Sequence, residues 1–348
     1  MAKRGLENFV TYPVFIPAEV SGNLTVSIAF PYRHLNFSFT VSIPRALFEG
    51  ARTSVKEARV PAGIQDAWMQ KYYGAFAAPS ALEPFYQTLL AAFRKIRAEQ
   101  NLTSDEYVEL LAAYVQSIPY DHEKVASIER APRYPVETVV DNKGICSDKT
   151  VLLAGLLSHE GYACAVLHFA KENHVTVGLP APKGFDFMGC GYAVVETTAI
   201  SYIGSSSTEY GVCANRPKVF PIGHGTKMYE GIRESVKILT VMRELEESIA
   251  PGSPLYNEIV FVQKKIEALK AELTASKAQI ERTANAGEDY YPLLAEHKKN
   301  IARLESLIQA YNRLADDFRA NAELAGFIYH NRLDKRSVVR RLKSIGRI

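Results

Sequence analysis

Hydrophobic positions along the chain change their period from region to region. Near the start, Phe9 to Ile16, Leu24 to Phe30 and Leu35 to Ile43 are rich in Val, Ile, Phe, Tyr and Thr in partial alternation, with Pro, Gly and Asn between them. That pattern predicts short strands in a small antiparallel sheet that packs against whatever follows. From about residue 64 to 118 the period becomes helical. Leu82, Phe85, Leu89, Leu90 and Phe93 recur at spacings of three and four. So do Tyr107, Leu110, Leu111, Tyr114 and Val115, after the cap-like Thr103-Ser104-Asp105. Pro119 disfavours helix at Ile118 and should end the second run.

The run Val139-Val140-Asp141-Asn142-Lys143-Gly144-Ile145-Cys146-Ser147-Asp148-Lys149-Thr150 then leads into the apolar segment Val151 to Leu157. Gly144 is expected to supply a turn, and Ser147 and Asp148 suit a first helical turn. Cys146 is therefore expected at or near the N-terminus of a helix that stops near Gly161. Strands are predicted at Ala163 to Phe169, His174 to Leu179 and, after a Pro/Gly-rich loop, Gly191 to Glu196. Gly204 to Pro221 reads as a long loop, and residues 226–250 fit either strand or helix. After Pro251-Gly252-Ser253-Pro254, Ile259, Val262, Ile266, Leu269, Leu273 and Ile280 alternate at three and four, with polar Ser276 in the seam. Past a break at Gly287 to Pro292, Leu294, His297, Ile301, Leu304, Ile308, Tyr311, Ala315 and Phe318 repeat the pattern. This predicts an antiparallel two-helix coiled coil. The fold expected is α+β: a β-rich N-terminal region over 1–62, a core over 63–215, a connector over 216–253, the coiled-coil hairpin over 254–320 and a basic tail over 321–348.

Composition narrows the function classes. The 348 residues hold 41 Lys+Arg against 38 Asp+Glu, so the net charge of +3 does not mark a general polyanion binder. That near-neutral total hides a division, because the segment from Arg332 carries seven basic residues and one acidic, which leaves the rest mildly acidic. The basic end could touch nucleic acid or an acidic lipid surface. No aromatic-interleaved groove or nucleic-acid motif accompanies it, so a solvated or partly disordered tail is the favoured expectation. No stretch of about 18 apolar residues predicts a membrane span. The start has no apolar h-region, and the four cysteines (Cys146, Cys164, Cys190, Cys213) form neither a disulfide framework nor a CxxC pair. A cytoplasmic protein is expected.

Chemistry concentrates around Cys146. A helix N-terminus offers partial positive charge and free N–H groups, which favour a thiolate and can bind an oxyanion. His174 opens a strand after the polar turn Lys171-Glu172-Asn173, and Glu196 closes the neighbouring strand. Adjacent strands packed on the helix would set His174 beside Cys146 and Glu196 behind His174, as nucleophile, base and orienting carboxylate. His168 is the competing base but reads as a core or sheet-face histidine. His122 and His159 read as surface residues near helix ends, Cys164 as core, and Asp148 as a first-turn residue. No ligand spacing supports a metal site from Cys146, His168 and His174, and no cofactor is expected.

The order Gly144-x-Cys146-x-Asp148, helix, His174 on a strand, then a carboxylate closing the next strand resembles the transglutaminase-like superfamily, notably its prokaryotic and archaeal branch. Ile118-Pro119-Tyr120-Asp121, Tyr134-Pro135-x-Glu137-Thr138, His174-x-x-Val177-Gly178 and Glu196-Thr197-Thr198 carry the same likeness, which covers roughly residues 105 to 200. The resemblance implies a papain-like thiol-hydrolase core with Cys146 as nucleophile, His174 as general base and Glu196 as orienting acid. Asp is commoner than Glu at the third position, and Val175 stands where an aromatic residue often follows the histidine. The expected activity is cysteine-dependent amide hydrolysis of a peptide or protein through a thioester, or acyl transfer to an amine. Other readings are a non-catalytic peptide-binding scaffold working through its coiled coil, with a protein partner or a second copy bound there, and a nucleic-acid-associated protein using the basic tail.

Overall fold

A computed structural model describes residues 10–61, 64–127, 131–208 and 211–348. They divide into two compact units, one made by the chain up to Lys237 together with Asn331–Gly346 and Ile348, the other by Ile238–His330 with Arg347.

In the first unit, β1 (Asn23–Tyr32) and β2 (Leu35–Pro44) form an antiparallel hairpin with Tyr32 opposite Leu35. Alternate residues Val26, Ile28, Phe30 and Tyr32 face inward. Phe30 lies 5.4 Å from Tyr114 and 5.7 Å from Phe93, so the hairpin is packed on the helices that follow. Of the strand predicted from Phe9 to Ile16, the described part makes a single bridge between Thr11 and Arg59. Pro13 lies inside that segment and Pro17 follows it, and both lack a ladder donor.

Helices α1 (Arg45–Thr53), α2 (Trp68–Ala77), α3 (Glu83–Glu99), α4 (Ser104–Ser117), α5 (His122–Ala126), α6 (Pro135–Asp141) and α7 (Cys146–His159) follow. The predicted apolar stripes of α3 and α4 are buried. Thr103 and Glu106 close a reciprocal capping box at the start of α4, as that cap-like run suggests. The second half of α7 is apolar on every side, and Val151 to Leu157 are fully buried, the signature of a central helix. Gly155 has a packing reason: a Cβ there would collide with the Ala77 carbonyl and the Tyr86 hydroxyl.

Central helix α7 lies on a four-stranded antiparallel sheet of order β5-β4-β3-β8, comprising β3 (Ala163–Phe169), β4 (His174–Pro180), β5 (Tyr192–Val195) and β8 (Lys218–His224). Two residue pairs, β6 (Ser207–Thr208) and β7 (Gly211–Val212), make a small separate ladder. The predicted long loop, Gly204 to Pro221, thus holds the small ladder, and its last residues open an edge strand, β8, whose alternation is masked by Pro221 and Gly223. The ambiguous region is helix α8 (Ile232–Ile249).

The second unit is dominated by α9 (Pro254–Asn285) and α10 (Tyr291–His330), joined by the short turn at 286–290. Val262, Ile266 and Leu269 are its buried seam, and Ser276 meets His297 in a polar contact further along. The chain then returns to the first unit, where the expected loose tail is instead helix α11 (Lys335–Ser344). Asp334 caps it, and Val338, Val339 and Leu342 are buried. Charge dominates the composition of this segment, but its few apolar residues fall on one helical face, and those decide its fate. No helix among the described residues is long and apolar enough to cross a membrane.

Candidate functional site

Cys146 is the first residue of α7 and lines a cleft of ≈ 410 Å³. Its position is set from behind by Asp148, which is fully buried. One Asp148 oxygen accepts from the Ile145 N–H (3.0 Å); the other accepts from the Arg133 N–H and the Lys124 ammonium, both at 2.7 Å. The first bond satisfies an orphan donor at the helix start. The other two tie that start to the segments before α6, so Asp148 is a first-turn residue with a wider structural role. Burial pulls the Lys124 ammonium below its ordinary range, and the Asp148 charge opposes that shift. The turn expected at Gly144 falls on Asn142, which takes the left-handed conformation at φ +48°. Gly144 is instead pressed close: a Cβ would sit 3.0 Å from Asp148 Cβ and 3.2 Å from a Thr138 methyl.

Register brings the other two residues together. Strands β4 and β5 pair with Val177 opposite Val195, so Glu196, one step on, falls level with Thr176 and on the same face as His174. The pair is thus diagonal, and the extra methylene of Glu over Asp spans it. His174 Nε2 lies 2.9 Å from Glu196 Oε2. The second carboxylate oxygen accepts from the Thr198 N–H (2.7 Å) and hydroxyl (2.6 Å). Glu196 is completely buried. Burial pushes its carboxyl up, but the His174 and Thr198 hydrogen bonds prevail and hold it below the usual carboxylate range. For His174 burial acts downward, and hydrogen bonding to Cys146 and Glu196 outweighs it, raising the imidazole to about 10. With Nε2 committed to Glu196, the Nδ1 edge is the one left for Cys146.

Cys146, Ser147, His168, Glu172, Asn173, His174 and Val175 line the cleft, together with Tyr73, Tyr120, Ile145 and the α5 residues Lys124 and Val125. His168 lines the cleft from β3, which agrees with the sheet-face alternative of its expectation rather than with core. Its ring is held below the ordinary range by burial, then by Lys218, and no hydrogen bond joins it to Cys146 among the described residues. His159 is not a plain surface residue either. Its ring stacks on Tyr86 at 3.9 Å and bonds the Gly155 carbonyl and Glu83. His122 is exposed, as expected. Cys164 is core, with burial pushing its thiol up to about 11. Cys213 is also buried and Cys190 half-buried, and all four cysteines are free.

Several supports of the site escaped the sequence reading. Gln116, at the end of α4, donates to the Glu196 and Ser201 carbonyls at 2.9 and 3.2 Å. Lys149 is fully buried, and its ammonium caps the end of α4 by donating to the carbonyls of Gln116 (3.2 Å) and Ile118 (2.7 Å). The one available signal was chemical incongruity, a lysine and a glutamine inside otherwise apolar helical faces. Tyr73 had none, because α2 has no clean apolar stripe. Among the described residues no group of three or more His, Cys, Asp or Glu is placed to hold a metal ion.

Comparison with known families adds one match: residues 94–182 fit the model of a family described as a transglutaminase-like domain. The match makes this segment, about a quarter of the chain, similar to a transglutaminase-like domain. The matched segment includes Cys146 and His174 and stops before Glu196. No curated protein and no solved structure matches the chain.

Proposed function

We propose that the protein is a cysteine-dependent amide hydrolase whose nucleophile is Cys146, with His174 as its proton carrier and Glu196 as the group that orients and charges His174. The observation that carries this reading is the buried His174–Glu196 hydrogen bond, formed where His174 shares a cleft with the first residue of α7. A carboxylate accepting from Nε2 fixes the ring tautomer and stabilises the imidazolium.

In this mechanism the Cys146 proton resides on His174, and sulfur attacks the carbonyl carbon of a bound peptide amide. The C–S bond forms as the carbonyl π pair moves onto oxygen, where free N–H groups of the first turn of α7 receive it. Collapse of this adduct breaks the C–N bond, His174 gives its proton to the leaving amine, and a thioester remains. Water, deprotonated by His174, releases the carboxylic acid and regenerates the thiol. A primary amine in place of water would give acyl transfer; hydrolysis is preferred here because it needs no second-substrate site. The substrate class is a peptide or protein, since the cleft is open and is lined by the start of α7, by α5 and by the β3–β4 turn.

Iodoacetamide at near-neutral pH should alkylate Cys146 before the other three cysteines, and p-nitrophenyl acetate should acylate it with a burst of nitrophenol. Cys146→Ala should abolish the burst, and His174→Ala should slow it by at least 10²-fold. Equal labelling of all four cysteines would sink the proposal.

A further inference from the structure

The candidate machinery so far comes from α7, β4 and the residue after β5. The cleft has another wall, α2, which packs against α7 and β8 and lies outside the segment that matches the family model. From it Tyr73 reaches the cleft that holds Cys146. Its ring is 6 % exposed and is wedged between Tyr72, at 5.6 Å, and Phe220 of β8, at 6.1 Å. The phenols of Tyr86, Tyr107 and Tyr162 each donate to a protein oxygen. The Tyr73 hydroxyl bonds no group among the described residues, yet it is not sealed from solvent as the unpartnered Tyr134 hydroxyl is. A buried ring with an unsealed, unbonded hydroxyl, in a residue that lines this cleft, presents that hydroxyl to the cleft. The phenol is held far above its ordinary range, first by burial, then by Tyr72 and the charge of Cys146, so it remains a donor at any working pH.

We infer that Tyr73 is a second oxyanion donor, its hydroxyl hydrogen-bonding the substrate carbonyl oxygen while Cys146 attacks. The inference rests on the reading of Cys146 as nucleophile. No proton is transferred by Tyr73: sulfur bonds to carbon, the π pair moves to oxygen, and the phenolic O–H stays intact while its hydrogen bond to that oxygen shortens. A rigidly packed donor whose hydroxyl no protein group occupies meets the requirement of such a site, because it needs no reorganisation when charge develops.

The variant Tyr73→Phe removes the hydroxyl alone, and two reagents separate its possible roles. Iodoacetamide displaces iodide at an sp³ carbon and creates no oxyanion; p-nitrophenyl acetate creates one. The expected result is alkylation of Cys146 within about twofold of wild type and acylation slowed on the order of 10²-fold. Unchanged acylation would overturn the inference. Equal slowing with both reagents would overturn it by showing a structural role. Faster alkylation would also overturn it, since the hydroxyl would then be capping sulfur rather than awaiting an oxyanion. Were wild-type Cys146 no more reactive to iodoacetamide than the other cysteines, the nucleophile reading itself would fall, and this inference with it.

Discussion

The region around α7 and the two-helix hairpin of α9 and α10 are both helical at heart, yet they are held by opposite means. Around α7, buried polar groups do the positioning: Asp148, Lys149, Gln116 and Glu196 all lie at 5 % exposure or less, and each is bonded to elements distant in sequence. In the hairpin a thin apolar seam through Val262, Ile266 and Leu269 is buried while charged faces stay in water. The difference teaches where precision is needed. A seam of interchangeable aliphatic side chains fixes a helix pair loosely and cheaply. A site that must hold a sulfur, a ring and a carboxylate in register uses directional bonds instead, which are costly when half-made.

The strongest way to break this comparison is to remove a hub from the first region. Asp148→Ala would leave the Lys124 ammonium and the Ile145 and Arg133 N–H groups without their buried acceptor. Breaking a buried ion pair from one side costs about 3–5 kcal/mol, so urea unfolding should show a loss of that size, with Asp148→Asn in between. A loss below about 1 kcal/mol would mean the buried bonds are no more valuable than surface pairs, and the contrast would fail.

An intermediate effect comes from the His174–Glu196 pair, and it carries a pH signature. His174 is raised from 6.5 to about 10, so its contribution to stability is complete below about pH 6.5 and is lost as pH rises through 10. Glu196 is lowered from 4.5, so its contribution is complete above that value and is lost as pH falls below it. The pair therefore counts most between about pH 4.5 and 6.5, persists at neutral pH and fades toward pH 11. Glu196→Gln should cost about 1.5–3 kcal/mol at pH 6, and the gap to wild type should close in unfolding curves taken above pH 10. A gap independent of pH would show that the bond does not involve a charged imidazole.

The same contrast explains how much could be read in advance. Periodicity found the seams of α3, α4 and α9, because each is a local repeat that no distant contact needs to complete; in α10 two residues of the expected seam, Ile301 and Ile308, are exposed. Cys146, His174 and Glu196 were legible because strand order and a helix start suffice to suggest their meeting, although the diagonal that joins His174 to Glu196 depends on register. The cleft role of His168 and Tyr73 was not legible, since it is set by which side of α2 and β3 faces α7. Nor was the work of Gln116 and Lys149, whose partners lie in the 31–85 residue range of separation. Charge misled at the C-terminus: a basic composition suggested a loose tail, while three apolar residues on one face of α11 were enough to dock it.

The smallest expected effect lies in the hairpin and sharpens the comparison from its other side. Ser276 and His297 occupy seam positions where aliphatic residues would continue the repeat, and they satisfy each other through a single hydrogen bond. Replacing one partner strands the other. Ser276→Leu alone should therefore be neutral or destabilising by up to about 1 kcal/mol. Changing both to Leu removes two polar groups and extends the apolar seam, so the double variant should be more stable than wild type by about 0.5–1 kcal/mol. A thermal-melt double-mutant cycle reads this as a coupling of opposite sign to the first single change. Its relevance to the α7 region is direct: the analogous replacement of Glu196 and His174 by apolar residues could also leave stability intact while removing the proposed chemistry. If the hairpin double variant instead proves less stable than either single one, the Ser276–His297 pair is specifying the register of the two helices, and the hairpin is held by directional bonds much as the site is.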